Sequence, residues 1–172
     1  MSSPVRDALV ALAALLAPGA PDVADRVADA HDDPVGYLEA NAARLDERGI
    51  DEPLPDLAWI ALVDALTDHH LLAEVDWKEA ADEIVTELRG LSSSPADPAA
   101  WSWFEDVPDD LPAHDFLDRA GAGLRATGTT LAVLDIDSDC YPLILLPNGD
   151  ADALRVHATA AGFTASILGA TR

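Results

Sequence analysis

Asp135, Asp137 and Asp139 alternate through a short run ahead of Cys140 and Tyr141, directly after the apolar residues Leu131, Ala132, Val133 and Leu134. Carboxylates at this spacing behind a strand point to divalent-cation chemistry, either a calcium loop or an aspartate pair for phosphoryl transfer. The calcium loop needs glycine at its sixth position and a bidentate glutamate at its twelfth, where Cys140 and Leu146 stand instead. Phosphoryl transfer would need a downstream lysine, and only Asp150 and Asp152 follow. Asp135 and Asp137 share a face only while the strand stays extended. Two uses remain: a divalent-ion site built by Asp135, Asp137 and Asp139, or the polar tip of a hairpin.

Other reactive residue types form no constellation. Cys140 has Asp139 beside it and no nearby base in sequence, which raises a thiol pKa and marks a structural cysteine. His69 and His70 are adjacent, so on a helix they point about 100° apart and cannot easily share a metal. His31, His114 and His157 occur singly. Gly121, Gly123 and Gly128 have the wrong spacing and follow a helix, so they are no dinucleotide loop. No nucleophile elbow, zinc-protease motif, paired cysteine or phosphate loop occurs. Enzyme function therefore has no positive sign in the chain. Asp64 stands alone within apolar residues, and Ala61, Asp64 and Asp68 read as the polar stripe of an otherwise buried helix.

Aromatics and acids form the next grouping. Trp59 and Trp77 lie in apolar helical contexts and are expected in the core. Trp101, Trp103 and Phe104 precede an acidic segment holding Glu105, Asp106, Asp109, Asp110, Asp115 and Asp118, with no base before Arg119. Aromatic anchors rimmed by acids fit a basic, partly apolar partner. The competing use folds the aromatics back into the core and leaves the acids as a solvated loop.

The elements that position these residues read as helices followed by a change of period. Ser3 caps a first helix with Pro4 at its first position and Val5, Leu9, Leu12 and Leu16 as its apolar stripe. Pro21 opens a second, with Val23 and Val27 inward. Asp33-Pro34 opens a third, carrying Tyr37, Leu38, Ala42 and Leu45 and ending at Gly49. Residues 57–66 are apolar almost all round and form the central helix. Asp76-Trp77-Lys78-Glu79 has capping-box spacing and opens a helix with Ile84, Val85 and Leu88 inward. Residues 91–98, rich in Ser and Pro, make a flexible segment, and 116–126 a helix interrupted by glycines. Residues 129–136 and 141–146 are strands, 150–161 a helix and 163–168 a third strand, giving a ββαβ unit. Pro142 favours an edge position for the second strand, with the third antiparallel to the first. The expected fold is one α+β domain over 1–172, a helical array over 3–127 packed with a small sheet over 128–170.

Composition bounds the function. The 172 residues carry 32 acids, 24 of them Asp, against 10 bases, and the net charge is −22. Nucleic acid and anionic membrane both need basic surface, so neither is an expected partner. No run approaches the roughly 18 apolar residues of a spanning helix. With one cysteine, internal disulfides are excluded and a reducing cytoplasm is the expected compartment.

The run Leu134-Asp135-Ile136-Asp137-Ser138-Asp139-Cys140-Tyr141-Pro142-Leu143, followed by Ala161-Gly162-Phe163, resembles a family of uncharacterised bacterial proteins. Leu57 to Asp64 and Glu74 to Lys78 resemble it as well. The resemblance covers nearly the whole chain and implies one full-length domain, with no activity attached.

Two functions are therefore expected in competition. One is an acidic domain that binds a basic protein, as an immunity protein or antitoxin does, through Trp101, Trp103, Glu105, Asp106, Asp109 and Asp110. The other is a divalent-metal-dependent enzyme or regulator using Asp135, Asp137 and Asp139. No further cofactor is expected.

Overall fold

The computed structural model describes residues 3–170. Local signals set the first helices. The Ser3 hydroxyl accepts the Arg6 N–H at 3.3 Å, and proline at the first position supplies a helical φ where no donor is needed. Helix α1 (Pro4–Leu16) buries Leu9, Leu12 and Leu16, while Val5, expected on the same stripe, lies at the surface. Helix α2 (Pro21–Asp32) turns Val23 and Val27 inward. The Asp33 carboxylate then accepts the Gly36 N–H at 3.0 Å and starts α3 (Pro34–Ala40).

The third predicted helix is two. Asn41 breaks it before α4 (Ala42–Glu47), where its side-chain amide donates to the Tyr37 carbonyl at 2.9 Å. An asparagine that bonds backbone locally competes with helix continuation. Helix α5 (Leu57–Asp68) is the expected central helix, with residues 57–66 all buried.

A strand, β1 (Leu72–Asp76), follows where no strand was expected. The capping box after it does form: the Asp76 carboxylate accepts the Lys78 N–H at 2.8 Å and the Glu79 carboxylate accepts the Asp76 N–H at 3.0 Å. It closes the turn that leaves β1, however, and helix α6 (Ala81–Arg89) starts only after Ala80. Trp77 sits on that turn, 51% exposed, and is not the core residue its apolar neighbours implied. Within 91–98, Leu91 is buried and the Ser92 N–H donates to the His70 carbonyl at 2.7 Å.

A 3₁₀ segment (Pro98–Asp106) leads to α7 (Ala113–Arg125). Strands β2 (Thr129–Leu134) and β3 (Cys140–Pro147), helix α8 (Ala151–Ala161) and strand β4 (Ala165–Ile167) complete the ββαβ unit as expected. The sheet order is β1-β3-β2-β4 and every pairing is antiparallel. β3 is thus internal, which corrects the edge placement drawn from Pro142. The proline is accommodated because the β2 ladder ends at Val133 opposite Leu143, one residue short of it, and only β1 faces Pro142, through Glu74.

Both faces of the sheet are covered, and this explains why β3 reads as a continuous apolar run. On one face Leu72, Ala132, Leu134, Ile144 and Leu146 pack with α1, α2, α5 and α8. On the other Val75, Leu131, Leu143 and Leu145 pack with α6, the 3₁₀ segment and α7. The alternation follows from the two-residue period of a strand. Trp59 joins the first layer to the sheet: its indole stacks on Phe163 at 4.7 Å between centroids and its N–H donates to the Asp135 carbonyl at 2.8 Å. The architecture is α+β. Among the described residues no helix is long and apolar enough to cross a membrane.

Candidate functional site

Asp64 is 1% exposed, deep in the apolar central helix. A carboxylate so placed needs compensating charge, and two arginines of α4 and its C-terminal cap provide it. Arg48 donates to Asp64 Oδ1 from Nε at 3.0 Å and from Nη2 at 2.6 Å, and its other face binds the Glu74 carboxylate of β1. Arg44 reaches Asp64 Oδ1 from Nε at 3.3 Å and grips both oxygens of Asp68 through Nη1 at 2.7 and 2.9 Å. Arg26 of α2 donates to Asp68 from the other side at 2.8 Å. Burial works against the Arg48 charge, yet Glu74 and Asp64 outweigh it and hold the guanidinium above its ordinary pKa. Burial likewise raises the Asp68 carboxyl, and Arg26 and Arg44 overcome it to hold that group below its usual value.

This network forms one wall of a cleft of about 610 Å³ between α4, the loop after it, α5 and the β2–β3 hairpin. Ile50, Leu54, Ile60 and Ile136 line its apolar part, and Glu47, Asp56, Asp137, Ser138 and Cys140 stand around it. A concave apolar surface with a few polar groups is the general form of a ligand site. Sequence reading missed it. The signal available was Asp64 itself, since a lone acid in an otherwise apolar buried helix requires a cation from elsewhere.

The hairpin contributes its Asp run to the rim. The Asp135 carboxylate accepts the Asp137 N–H at 2.8 Å, and Asp137 takes φ +56° to complete the turn. Asp139 is exposed, and among the described residues no three His, Cys, Asp or Glu side chains are gathered to hold a metal. Ser138 Oγ accepts the Cys140 N–H at 3.1 Å. Burial first, then Glu74, Asp76 and Asp139, push the Cys140 thiol above its ordinary pKa, which leaves it protonated and unreactive at neutral pH.

The acidic segment lies on the opposite layer. Trp101 is 4% exposed, and Trp103 packs 5.9 Å from the Phe116 ring and over Gly123, where a Cβ would overlap the indole. The two tryptophans are therefore turned into the second core and do not stand out as anchors. Glu105, Asp106, Asp109, Asp110, Asp115 and Asp118 are all exposed. Of the remaining histidines, His69 Nε2 lies 2.8 Å from Asp22 Oδ2, an interaction that holds the Asp22 carboxyl below its usual value.

No curated protein and no solved structure matches the chain. A family model does, over residues 8–168, and with that span inside the match the chain belongs to the family described as Domain of unknown function (DUF6630).

Proposed function

We propose that the chain is an acidic binding domain that recognises a basic protein, in the manner of an immunity protein or antitoxin. The observation that carries this reading is the segment 105–118. Its six carboxylates are exposed, and among the described residues none of them has an ion-pair partner. Three of the chain's nine arginines, Arg26, Arg44 and Arg48, are meanwhile bound to carboxylates beside α5. Negative potential is thus concentrated where none of the described bases pairs with it, the arrangement that steers a cationic partner and speeds association.

Of the two uses open to Trp101 and Trp103, their burial supports packing into the core. Held by Phe116, Gly123 and the Arg89 guanidinium, 5.3 Å from the Trp101 ring centroid, they staple the acidic segment to the second core. A segment ordered before binding loses less entropy on association. Val107 and Leu111, half-buried between the acids, supply the apolar contacts. The single cysteine fits a bacterial cytoplasm as the place of action.

The test is capture from a lysate of the source cell with tagged wild-type chain and with a variant carrying Asp106→Lys, Asp109→Lys and Asp110→Lys. One basic protein retained at equal stoichiometry, eluting with salt and lost by the variant, is the expected result. Equal retention by both chains would overturn the surface.

A further inference from the structure

We propose that the 610 Å³ cleft beside α5 is the receptor for an arginine or lysine side chain of the partner, an inference that rests on the basic-protein reading above. Its charges decide the occupant. Arg26, Arg44 and Arg48 face Asp64, Asp68 and Glu74, three cations against three carboxylates, so that set is neutral. Most of the arginine donors that line the cleft are engaged: those of Arg48 on Asp64 and Glu74, those of Arg44 on Asp68, the Asp64 carboxylate and the Asp64 carbonyl. An anion would meet guanidiniums whose charge is already balanced, with three further carboxylates around them to repel it.

Glu47, Asp56 and Asp137 are left over. Among the described residues none of the three carboxylates has an ion-pair or hydrogen-bond partner, and all three line the cleft. They surround apolar surface from Ile50 and Ile60, 9% and 4% exposed, and from the half-buried Leu54 and Ile136. An apolar trough with carboxylates at its rim matches a long aliphatic stem ending in a cation, because such side chains bury their methylenes while the charged head stays at a polar edge. A metal ion would gain nothing from the apolar floor, and a neutral apolar ligand would leave the three acids uncompensated.

The probes are acetyl-Gly-Arg-Gly-amide and the same peptide with citrulline, which keeps the shape and removes the charge. Titrated into the full chain by NMR, the arginine peptide should move the amide signals of Ile50, Ile60 and Ile136, and the citrulline peptide should not. The double variant Asp56→Asn with Asp137→Asn, which breaks no side-chain bond of the fold, should weaken the arginine peptide by about tenfold, the order expected for losing a charge-assisted hydrogen bond. Asp82→Asn with Glu83→Gln, at exposed acids of α6 outside the cleft, should leave it unchanged. No shifts at those isoleucines, equal binding of citrulline, an unaffected Asp56/Asp137 variant, or an equal loss in the Asp82/Glu83 variant would each overturn the cleft. These outcomes are separate from the capture experiment, which reads Asp106, Asp109 and Asp110.

Discussion

Arg48 and Asp64, sixteen positions apart, are joined by two hydrogen bonds to one buried carboxylate oxygen, at 3.0 and 2.6 Å. The pair ties the end of α4 to the middle of α5, and Glu74 extends it to the first strand of the sheet. Arg48→Ala should destabilise the fold by about 3 kcal/mol, because it leaves a carboxylate in the interior with only the longer Arg44 contact. Arg6→Ala removes an exposed pair with Asp32 and should cost under about 1 kcal/mol. Urea midpoints of the two variants compare the effects directly.

Gly123→Ala sets two effects against each other. Alanine gains about 1 kcal/mol over glycine inside a helix. Its Cβ, however, overlaps the Trp103 indole, whose ring is held by Phe104 and Phe116. Overpacking of this kind costs about 1–3 kcal/mol, so the net change should be a loss, accompanied by an altered tryptophan emission spectrum.

Stability should decline as pH rises through the range in which Glu87 titrates. Partial desolvation of its carboxyl first, then Glu79 and Glu83 beside it, lift it from 4.5 to about 7. Between those values the folded chain holds more protons than the unfolded one, and stability then falls with increasing pH. Glu87→Gln should flatten this part of the profile in thermal melts. The effect is modest and shrinks with added salt, since the group is exposed.

The two tryptophans that look alike in sequence should behave differently. Trp59→Ala removes a fully buried ring stacked on Phe163 and should cost about 3–5 kcal/mol. Trp77→Ala removes a ring that is half exposed beside Lys78 and should fall within about 0.5 kcal/mol of wild type. Chemical denaturation monitored by circular dichroism separates the two.

Several elements were legible because their causes are local. Ser3-Pro4 and Asp33-Pro34 start helices through a side chain and a fixed φ within three residues of each other. The glycines of α7 were visible as interruptions, but their reason was not: Gly123 admits Trp103 and Gly121 admits the backbone of Leu168. Strand β1 escaped notice because its five residues, Leu72 to Asp76, carry mixed polarity and run into a capping box, a signal for a helix. Its partner is β3, 64 or more positions away. The acidic segment was legible as charge, whereas the choice between the two uses of its tryptophans was not, because their burial depends on Phe116 and Gly123 of another helix.

Local sequence alone set the starts of α1, α2 and α3, the buried central helix, the ββαβ unit and the excess of acid, since propensity, proline geometry, periodicity and charge act between near neighbours or simply add. Tertiary structure alone decided which charges cancel. Arg26, Arg44 and Arg48 meet Asp64, Asp68 and Glu74 only after α2, α4, α5 and β1 have packed. That packing is what leaves Glu47, Asp56 and Asp137 without an ion-pair partner among the described residues, around an apolar cleft: Coulombic pairing at close range depends on distance in space, and separation along the chain carries no trace of it.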